Sequence, residues 1–173
     1  AEEVQQLLLP KSSPACTWCC IGVKNRMAAG LGGDYFDFIT MAEWGFDFAR
    51  LPLSYWAWGS PEDWTSIREE PLTAIDRAIE LGRKHGIHVN LTFHRIPGYC
   101  INGREQEPAD LFTGRLAERA RALEAAVFHW KTFARRYKGI PNRRLSFDLL
   151  NEPPKMRSYE GYLEERYVEI VRA

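Results

Sequence analysis

Glu152 is the residue of this sequence best placed to do acid or base chemistry, because it ends a short apolar segment. Residues 145–154 read LSFDLLNEPP, so Asn151 and Glu152 stand directly before two prolines. An apolar run of this length, bounded by a basic loop and a proline pair, is typical of a buried strand. Because proline cannot donate to a sheet, we expect the strand to end at Asn151 or Glu152. A carboxylate there could be catalytic, or it could only cap the next helix.

The alternation of side chains along a strand predicts two faces for this segment. One face carries the carboxylates and the other carries the amide. The carboxylate face consists of Ser146, Asp148, Leu150 and Glu152. The amide face consists of Phe147, Leu149 and Asn151.

Two further polar residues lie at the ends of other predicted strands. Arg50 falls near the end of segment 46–53, and His94 ends segment 87–94. Neighbouring strands lie about 5 Å apart, so Arg50, His94 and Glu152 can converge on one small volume. A guanidinium and an imidazole there could tune the pKa of the carboxyl for acid or base work. Singly, Arg50 could instead form a buried ion pair with Asp148, and His94 could be a core histidine; their shared rim favours a site.

The elements that position these residues form a repeating strand–helix order. This order predicts a parallel sheet with helices packed outside it. An open doubly wound sheet and a (β/α)8 barrel both fit, but no G-x-G-x-x-G follows the first strand. Polar residues at the carboxyl ends of strands favour a TIM-barrel type α/β fold. We expect four consecutive βα units, a half barrel, in one partial domain spanning 1–173, with strands 19–23, 46–53, 87–94 and 145–152 and helices 35–44, 67–85, 115–137 and 159–172.

Composition and charge remove several classes of partner. The chain has 23 Lys and Arg against 23 Asp and Glu and no basic block, so we expect no nucleic-acid partner. No long uncharged apolar run occurs, so we expect no membrane span. The first residues lack the basic and apolar regions of an intact signal peptide, and the compartment stays open.

The four cysteines do not predict a metal site. Cys16 and Cys19 form a C-x-x-C, but no second pair follows at a zinc-finger spacing. Buried or loop thiols are the simpler interpretation for these two residues and for Cys20 and Cys100. The sequence also lacks the H-E-x-x-H and G-x-S-x-G motifs of metal-dependent and serine hydrolases.

Aromatic residues near the strand ends offer flat apolar surfaces. Trp56, Trp58 and Tyr99 lie in predicted loops, where a sugar ring could stack on them. The loop 95–114 is long for a compact domain, which is typical of a functional segment.

Three motifs together resemble glycoside hydrolase family 5, the cellulase-like (β/α)8 barrels. They are FARLP at 48–52, FHRIPGY at 93–99 and LLNEP at 149–153, in the family's order. The resemblance implies that Glu152 is the general acid/base, that Asn151 contacts the sugar 2-hydroxyl, and that Arg50 and His94 orient the carboxylates and the sugar. It implies an oligosaccharide or polysaccharide substrate with β-linkages, endoglucanase-like cleavage, no cofactor, and secretion.

The family's retaining mechanism also needs a nucleophilic carboxylate about 5–5.5 Å from the acid/base. In family 5 this residue ends strand seven, and this sequence resembles the N-terminal half of the barrel. Three alternatives follow: an incomplete site, two copies pairing as half barrels, or substitution by Asp148 or Asp110. Because a half barrel leaves two strand edges unpaired, we expect a homo-oligomer. The competing function is a half barrel that binds carbohydrate through Trp56, Trp58, Tyr99 and Arg50 without cleaving it.

Overall fold

A computed structural model describes residues 33–101, 107, 109–153 and 167–173, with the backbone alone for 33–37. The strands and helices alternate as predicted in this part of the chain. A final helical segment covers residues 167–172. In chain order, the other elements are α1 (Gly33–Glu43), β1 (Phe48–Ser54), a 3-10 turn (Tyr55–Ala57), α2 (Glu69–His85), β2 (His88–Ile96), β3 (Tyr99–Cys100), α3 (Leu116–Arg136) and β4 (Leu145–Asp148).

Strand β2 lies at the centre of the described sheet. Strands β1 and β4 run parallel to it on either side, and the short β3 folds back antiparallel to its end. The register places Pro52 opposite Thr92, and Thr92 opposite Asp148. Two parallel crossovers through helices confirm the predicted strand–helix–strand units.

The two faces of the sheet have different chemistry because side chains alternate along each strand. Val89, Leu91 and Phe93 of β2 point into the apolar core beneath the helices, each no more than 1% exposed. The other face is polar: the Oγ of Ser146 lies 2.7 Å from Nε2 of His88 and accepts a hydrogen bond of 2.9 Å from Nδ2 of Asn90. The polar face therefore holds the candidate site, while the apolar face holds the sheet against the helices.

Helix α2 shows how sequence signals set an element and its packing. Its apolar stripe, which includes Leu72 and Ile75, is buried, and Gly86 ends the helix with a left-handed φ of 76°. At Gly82 the helix approaches β2 so closely that an added Cβ would lie 2.5 Å from Cγ2 of Val89. A larger residue at Gly82 would push the helix away from the sheet.

Several predicted boundaries need correction. Strand β4 ends at Asp148, so the prediction that it reaches Asn151 or Glu152 is wrong. The predicted loop 95–114 contains the end of β2 and the whole of β3, a hairpin whose turn is Pro97-Gly98. The predicted strand 19–23 lies outside the described residues, as does most of the predicted helix 159–172.

The described helices include none with the length and apolarity needed to cross a membrane. Cys100 is buried as a thiol, while the other three cysteines lie outside the described residues.

Candidate active site

Arg50 joins the three parallel strands at the polar face of the sheet. From β1, its Nη1 lies 3.2 Å from Nε2 of His94 on β2. Its Nη2 lies 2.6 Å from Oδ2 of Asp148 on β4 and 3.0 Å from Oδ1 of Asn151. Of the predicted convergence of Arg50, His94 and Glu152, the contact between Arg50 and His94 is present, and Asn151 joins it from the neighbouring position.

The contact with Arg50 fixes the tautomer of neutral His94. Arginine can only donate, so Nε2 of His94 accepts the hydrogen bond and the ring proton sits on Nδ1. Burial, and then the positive charge of Arg50, lower the pKa of His94. The carboxylates of Glu152 and Asp148 oppose this shift with smaller effects. The imidazole is thus neutral near pH 7 and acts as a dipole rather than as a charge.

Asp148 is already engaged by its neighbours. It forms an ion pair with Arg50 and also accepts a hydrogen bond from Oγ1 of Thr92. The alternative prediction of an ion pair between Arg50 and Asp148 is confirmed, but the prediction that the pair is buried is wrong. The two side chains are 40% and 36% exposed to solvent. An exposed pair of this kind contributes about 1 kcal/mol or less to stability, so its value lies in geometry.

Asn151 lies on the face opposite to the one predicted for it. The predicted alternation assumed that the strand continues, but β4 ends at Asp148 and the chain bends at residues 151–152. The side chain of Asn151 consequently reaches Arg50 and is buried, 5% exposed. Its backbone amide donates to the carbonyl of Phe93 with a distance of 2.7 Å, which holds this turn against β2.

Glu152 follows in an uncommon backbone conformation. Its φ is +48°, and it is the one non-glycine residue with positive φ among those described. A left-handed conformation costs a residue with a Cβ about 1–2 kcal/mol. Its side chain is exposed, beside His94 at the carboxyl end of the sheet. Strain of this type is found at functional sites, where surrounding contacts maintain it.

Two aromatic residues assigned to sugar stacking are core residues. Trp58 is 1% exposed and donates from Nε1 to Nδ1 of His129. Tyr99 is 2% exposed, packs edge-on against Phe112, and donates its hydroxyl to the backbone carbonyl of Glu152. The prediction of exposed platforms at Trp58 and Tyr99 is wrong, because both rings fill space between the sheet and α3 or the β2–α3 loop.

Trp56 remains partly exposed, but Arg95 covers one side of it. The guanidinium carbon of Arg95 lies 3.8 Å from the centre of the Trp56 ring. The same guanidinium forms a fully buried ion pair with Glu107, whose Oε2 also accepts from the hydroxyl of Tyr55 at 2.9 Å. This network attaches the β2–α3 loop to the end of β1. A sugar could stack only on the other side of Trp56.

Asp110, the other candidate nucleophile, has a structural task. Its Oδ1 accepts from the amides of Phe112 and Thr113, both at 2.7 Å, and its Oδ2 accepts from the Thr113 hydroxyl. A carboxylate that satisfies a turn in this way is poorly placed to attack a substrate.

Sequence reasoning missed two contributors to the site. Thr92 binds both Arg50 and Asp148, and its position between Asn90 and His94 on the polar face was the signal for it. Glu107 anchors the loop, but nothing in its local sequence distinguishes it from an exposed glutamate. Within the described residues, no cluster of three or more His, Cys, Asp or Glu side chains could hold a metal ion.

Comparison with known proteins agrees with this fold. Residues 35–173 match the model of the family described as cellulase (glycosyl hydrolase family 5). Endoglucanase C of Acetivibrio thermocellus is 32% identical over 139 residues, which cover 79% of this chain and 38% of that protein. Cellodextrinase A of Ruminococcus flavefaciens is 32% identical over 116 residues, covering 67% of this chain and 32% of that protein.

A solved structure gives the same result in three dimensions. A crystal structure of a glycoside hydrolase superposes with a TM-score of 0.68 at 32% identity, covering 82% of this chain and 43% of that one. The fold and the rim of polar residues define a partial TIM-barrel glycosidase domain. The chain belongs to glycoside hydrolase family 5, the cellulase family, and an endoglucanase is among the proteins to which it is similar. It spans about 32–43% of the length of the relatives described here.

Proposed function

We propose that this protein contributes the acid/base half of a glycoside hydrolase site that cleaves β-linked polysaccharides, as an endo-β-1,4-glucanase does. The observation that carries the proposal is the convergence on Arg50 of His94, Asp148 and Asn151, next to Glu152. These residues come from three neighbouring strands and meet at the carboxyl end of the sheet, where TIM barrels perform their chemistry.

Glu152 is the proposed general acid/base. Its carboxylic acid would protonate the glycosidic oxygen as the bond from that oxygen to the anomeric carbon breaks. In the second step of a retaining reaction, its carboxylate would take a proton from the water that attacks the anomeric carbon. The exposure of the Glu152 side chain supports this role, because a substrate oxygen can reach it.

Arg50 is proposed to orient the polar groups around the sugar. Arg50 donates to Oδ1 of Asn151 and so fixes the orientation of the amide. The Nδ2 group of Asn151 is then proposed to donate to a sugar hydroxyl. Arg50 also holds His94 neutral, so the imidazole places no second positive charge beside the sugar. Trp56 is proposed to contact the sugar with the side of its ring not covered by Arg95.

The nucleophile is not assigned. Asp148 is bound by Arg50 and Thr92, and Asp110 caps a turn, so substitution by either has little support. A second candidate function therefore remains: the chain binds carbohydrate at this rim without cleaving it. Neither function calls on a cofactor.

Hydrolysis of soluble carboxymethylcellulose separates these candidates. The parent chain is compared with Glu152→Gln, which keeps shape and removes acid/base ability, and with Glu80→Gln as a matched control. Glu80 is an exposed glutamate on α2 that forms an ion pair with Arg83. We expect the parent and Glu80→Gln to be active and Glu152→Gln to lose at least about 100-fold in kcat.

Full activity in Glu152→Gln would exclude the proposed acid/base. If the parent releases no sugar but binds cello-oligosaccharides in calorimetry, the binding function is favoured. In that case Arg50→Lys should weaken binding, and Arg83→Lys should not.

A further inference from the structure

Two hydrogen bonds flank the Asn151–Glu152 step, and both come from one hairpin. The amide of Asn151 donates to the carbonyl of Phe93 on β2 at 2.7 Å. On the other side, the hydroxyl of Tyr99 on β3 donates to the carbonyl of Glu152. The backbone that carries the proposed acid/base is thus held before and after its own φ angle.

The conformation between these two bonds is one that the local sequence disfavours. Glu152 has a Cβ and a φ of +48°, which crowds the side chain against the backbone. Pro153 follows directly, and a residue before proline is biased towards extended conformations. Tertiary contacts must therefore impose this angle. The hydrogen bond from the Tyr99 hydroxyl is one such contact, because it holds the carbonyl group of Glu152, whose direction depends on φ of Glu152.

The hairpin is rigid enough to impose it. Gly98 turns with φ +80°, accepts from the amide of Leu111 at 2.9 Å, and lies so close to α3 that an added Cβ would stand 2.7 Å from Cβ of Ala122. The ring of Tyr99 meets Phe112 edge-on with ring centres 5.3 Å apart. The hydroxyl of Tyr99 is therefore fixed in space by both the turn and the ring contact.

We propose that Tyr99 is a positioning residue, which holds Glu152 in its left-handed conformation and thereby sets the direction of the acid/base carboxyl group. The proposal rests on the function proposed above for Glu152. It replaces the expected stacking of a sugar on Tyr99, since the buried ring offers no surface for that.

The test uses Tyr99→Phe in the full chain, with Tyr137→Phe as the matched control. Tyr137 is also buried and also loses one hydrogen bond, from its hydroxyl to Oδ1 of Asp76 at 3.0 Å. In isotope-labelled protein, the HN–Hα coupling and the Cα and Cβ chemical shifts of Glu152 report its φ. We expect these to move away from left-handed values in Tyr99→Phe and to stay unchanged in Tyr137→Phe.

Kinetics provide the second readout. On carboxymethylcellulose we expect Tyr99→Phe to lose about 10- to 100-fold in kcat, as a misplaced catalytic group does, with KM nearly unchanged. The limb of the pH–rate profile that reports the acid/base should shift in Tyr99→Phe and not in Tyr137→Phe. Phe112→Leu keeps the hydroxyl of Tyr99 but removes the ring contact that holds Tyr99 in place. This variant should show smaller changes in kcat and in the pH profile than Tyr99→Phe.

Unchanged couplings and shifts of Glu152 in Tyr99→Phe would overturn the proposal. So would changed couplings together with an unchanged kcat and pH profile in an active chain. If the parent hydrolyses nothing, the proposed function fails, while the spectra of Glu152 still decide whether Tyr99 sets its conformation.

Discussion

Nη1 of Arg50 and Nε2 of His94 lie 3.2 Å apart, although the two residues are 44 positions apart in the chain. The other terminal nitrogen of the same guanidinium contacts Asp148 and Asn151. A planar group with two separate donor nitrogens is needed to reach both sides, and a lysine ammonium has only one nitrogen.

Arg50→Lys should therefore damage function more than stability. We expect kcat on soluble β-glucan to fall at least about tenfold because either His94 or Asn151 loses its partner. The free energy of unfolding should change by about 1 kcal/mol or less, because the ion pair with Asp148 is exposed. Urea titration and steady-state kinetics measure the two effects. Arg83→Lys, at an exposed pair with Glu80, is the control, and a similar loss of kcat there would contradict the assignment.

His129 should make stability depend on pH. It is fully buried, and burial lowers its pKa from 6.5 to about 4. As the pH falls, His129 thus becomes protonated near pH 6.5 in the unfolded chain but only near pH 4 in the folded chain. The associated stability is complete above pH 6.5 and is lost as pH falls through this window, by up to about 3 kcal/mol.

The variant His129→Asn isolates this effect, since Oδ1 of Asn can replace Nδ1 as acceptor for Trp58. Between pH 7 and pH 4.5, urea denaturation should show a smaller loss of stability for the variant than for the parent. Equal losses would mean that other groups account for the acid sensitivity.

Glu152→Gly should stabilise the fold while it removes the proposed acid/base. Glycine adopts a φ of +48° without steric cost, but it also raises the entropy of the unfolded chain, so we expect a net gain of up to about 1 kcal/mol. Glu152→Gln keeps the Cβ and should leave the melting temperature unchanged. A lower melting temperature for Glu152→Gly would show that the left-handed conformation is not strained.

The buried pair of Arg95 and Glu107 should be costly to break from one side. Arg95→Leu leaves the Glu107 carboxyl buried among Tyr55 and Gly98. Burial already raises the pKa of Glu107, and loss of the Arg95 charge, which lowers it, should raise it further. We expect a loss of about 3–5 kcal/mol. The double variant Arg95→Leu with Glu107→Leu should recover part of it, because no isolated charge remains.

The exposed pair of Arg83 and Glu80 supplies the comparison for that series. Arg83→Leu should cost about 1 kcal/mol or less, as surface pairs do. Chemical denaturation of all three variants gives the answer, and an Arg95→Leu loss no larger than that of Arg83→Leu would refute the prediction.

The outer edges of β1 and β4 should promote self-association. In the described part of the sheet, each strand pairs only with β2, and Phe48 and Phe147 on them are 49% and 40% exposed. We expect light scattering after gel filtration to show a dimer or larger species at micromolar concentration. Phe147→Lys should shift it towards one chain. Leu116→Lys, at an exposed apolar residue on α3, should not.

Local patterns predicted the strands and helices well where one signal dominated. Gly45 and Gly86 follow α1 and α2 with positive φ, in the position where a glycine commonly ends a helix. Along β2, Val89, Leu91 and Phe93 alternate with Asn90, Thr92 and His94 in the sequence, and this alternation matches the apolar and polar faces of the strand. The end of β4 could not be read from the sequence, because the turn after Asp148 is held by the carbonyl of Phe93 on another strand.

The candidate site shows the same division. Arg50, His94 and Asn151 were found because residues towards the carboxyl ends of neighbouring parallel strands lie close together. The prediction that Arg50 lies near the end of its strand is wrong, because it is the third of the seven residues of β1 and its long side chain reaches Asp148 and Asn151. The roles of Tyr99 and Trp58 were not found, because loop position alone does not tell whether a ring faces solvent or fills a gap beside Phe112 or His129. Glu107 was missed for the reverse reason: burial of a charge depends on a partner, Arg95, that its own segment does not reveal.

The alternation of side chains along β2 lets residues of the polar face change without changing residues of the core. His94 and Thr92 face the polar rim, and Leu91 and Phe93 between them face the helices. A substitution at a rim position leaves the adjacent core contacts in place, and residues without shared partners tend to act independently. New specificities can therefore be explored at alternate positions of a single strand while the scaffold beneath it stays folded.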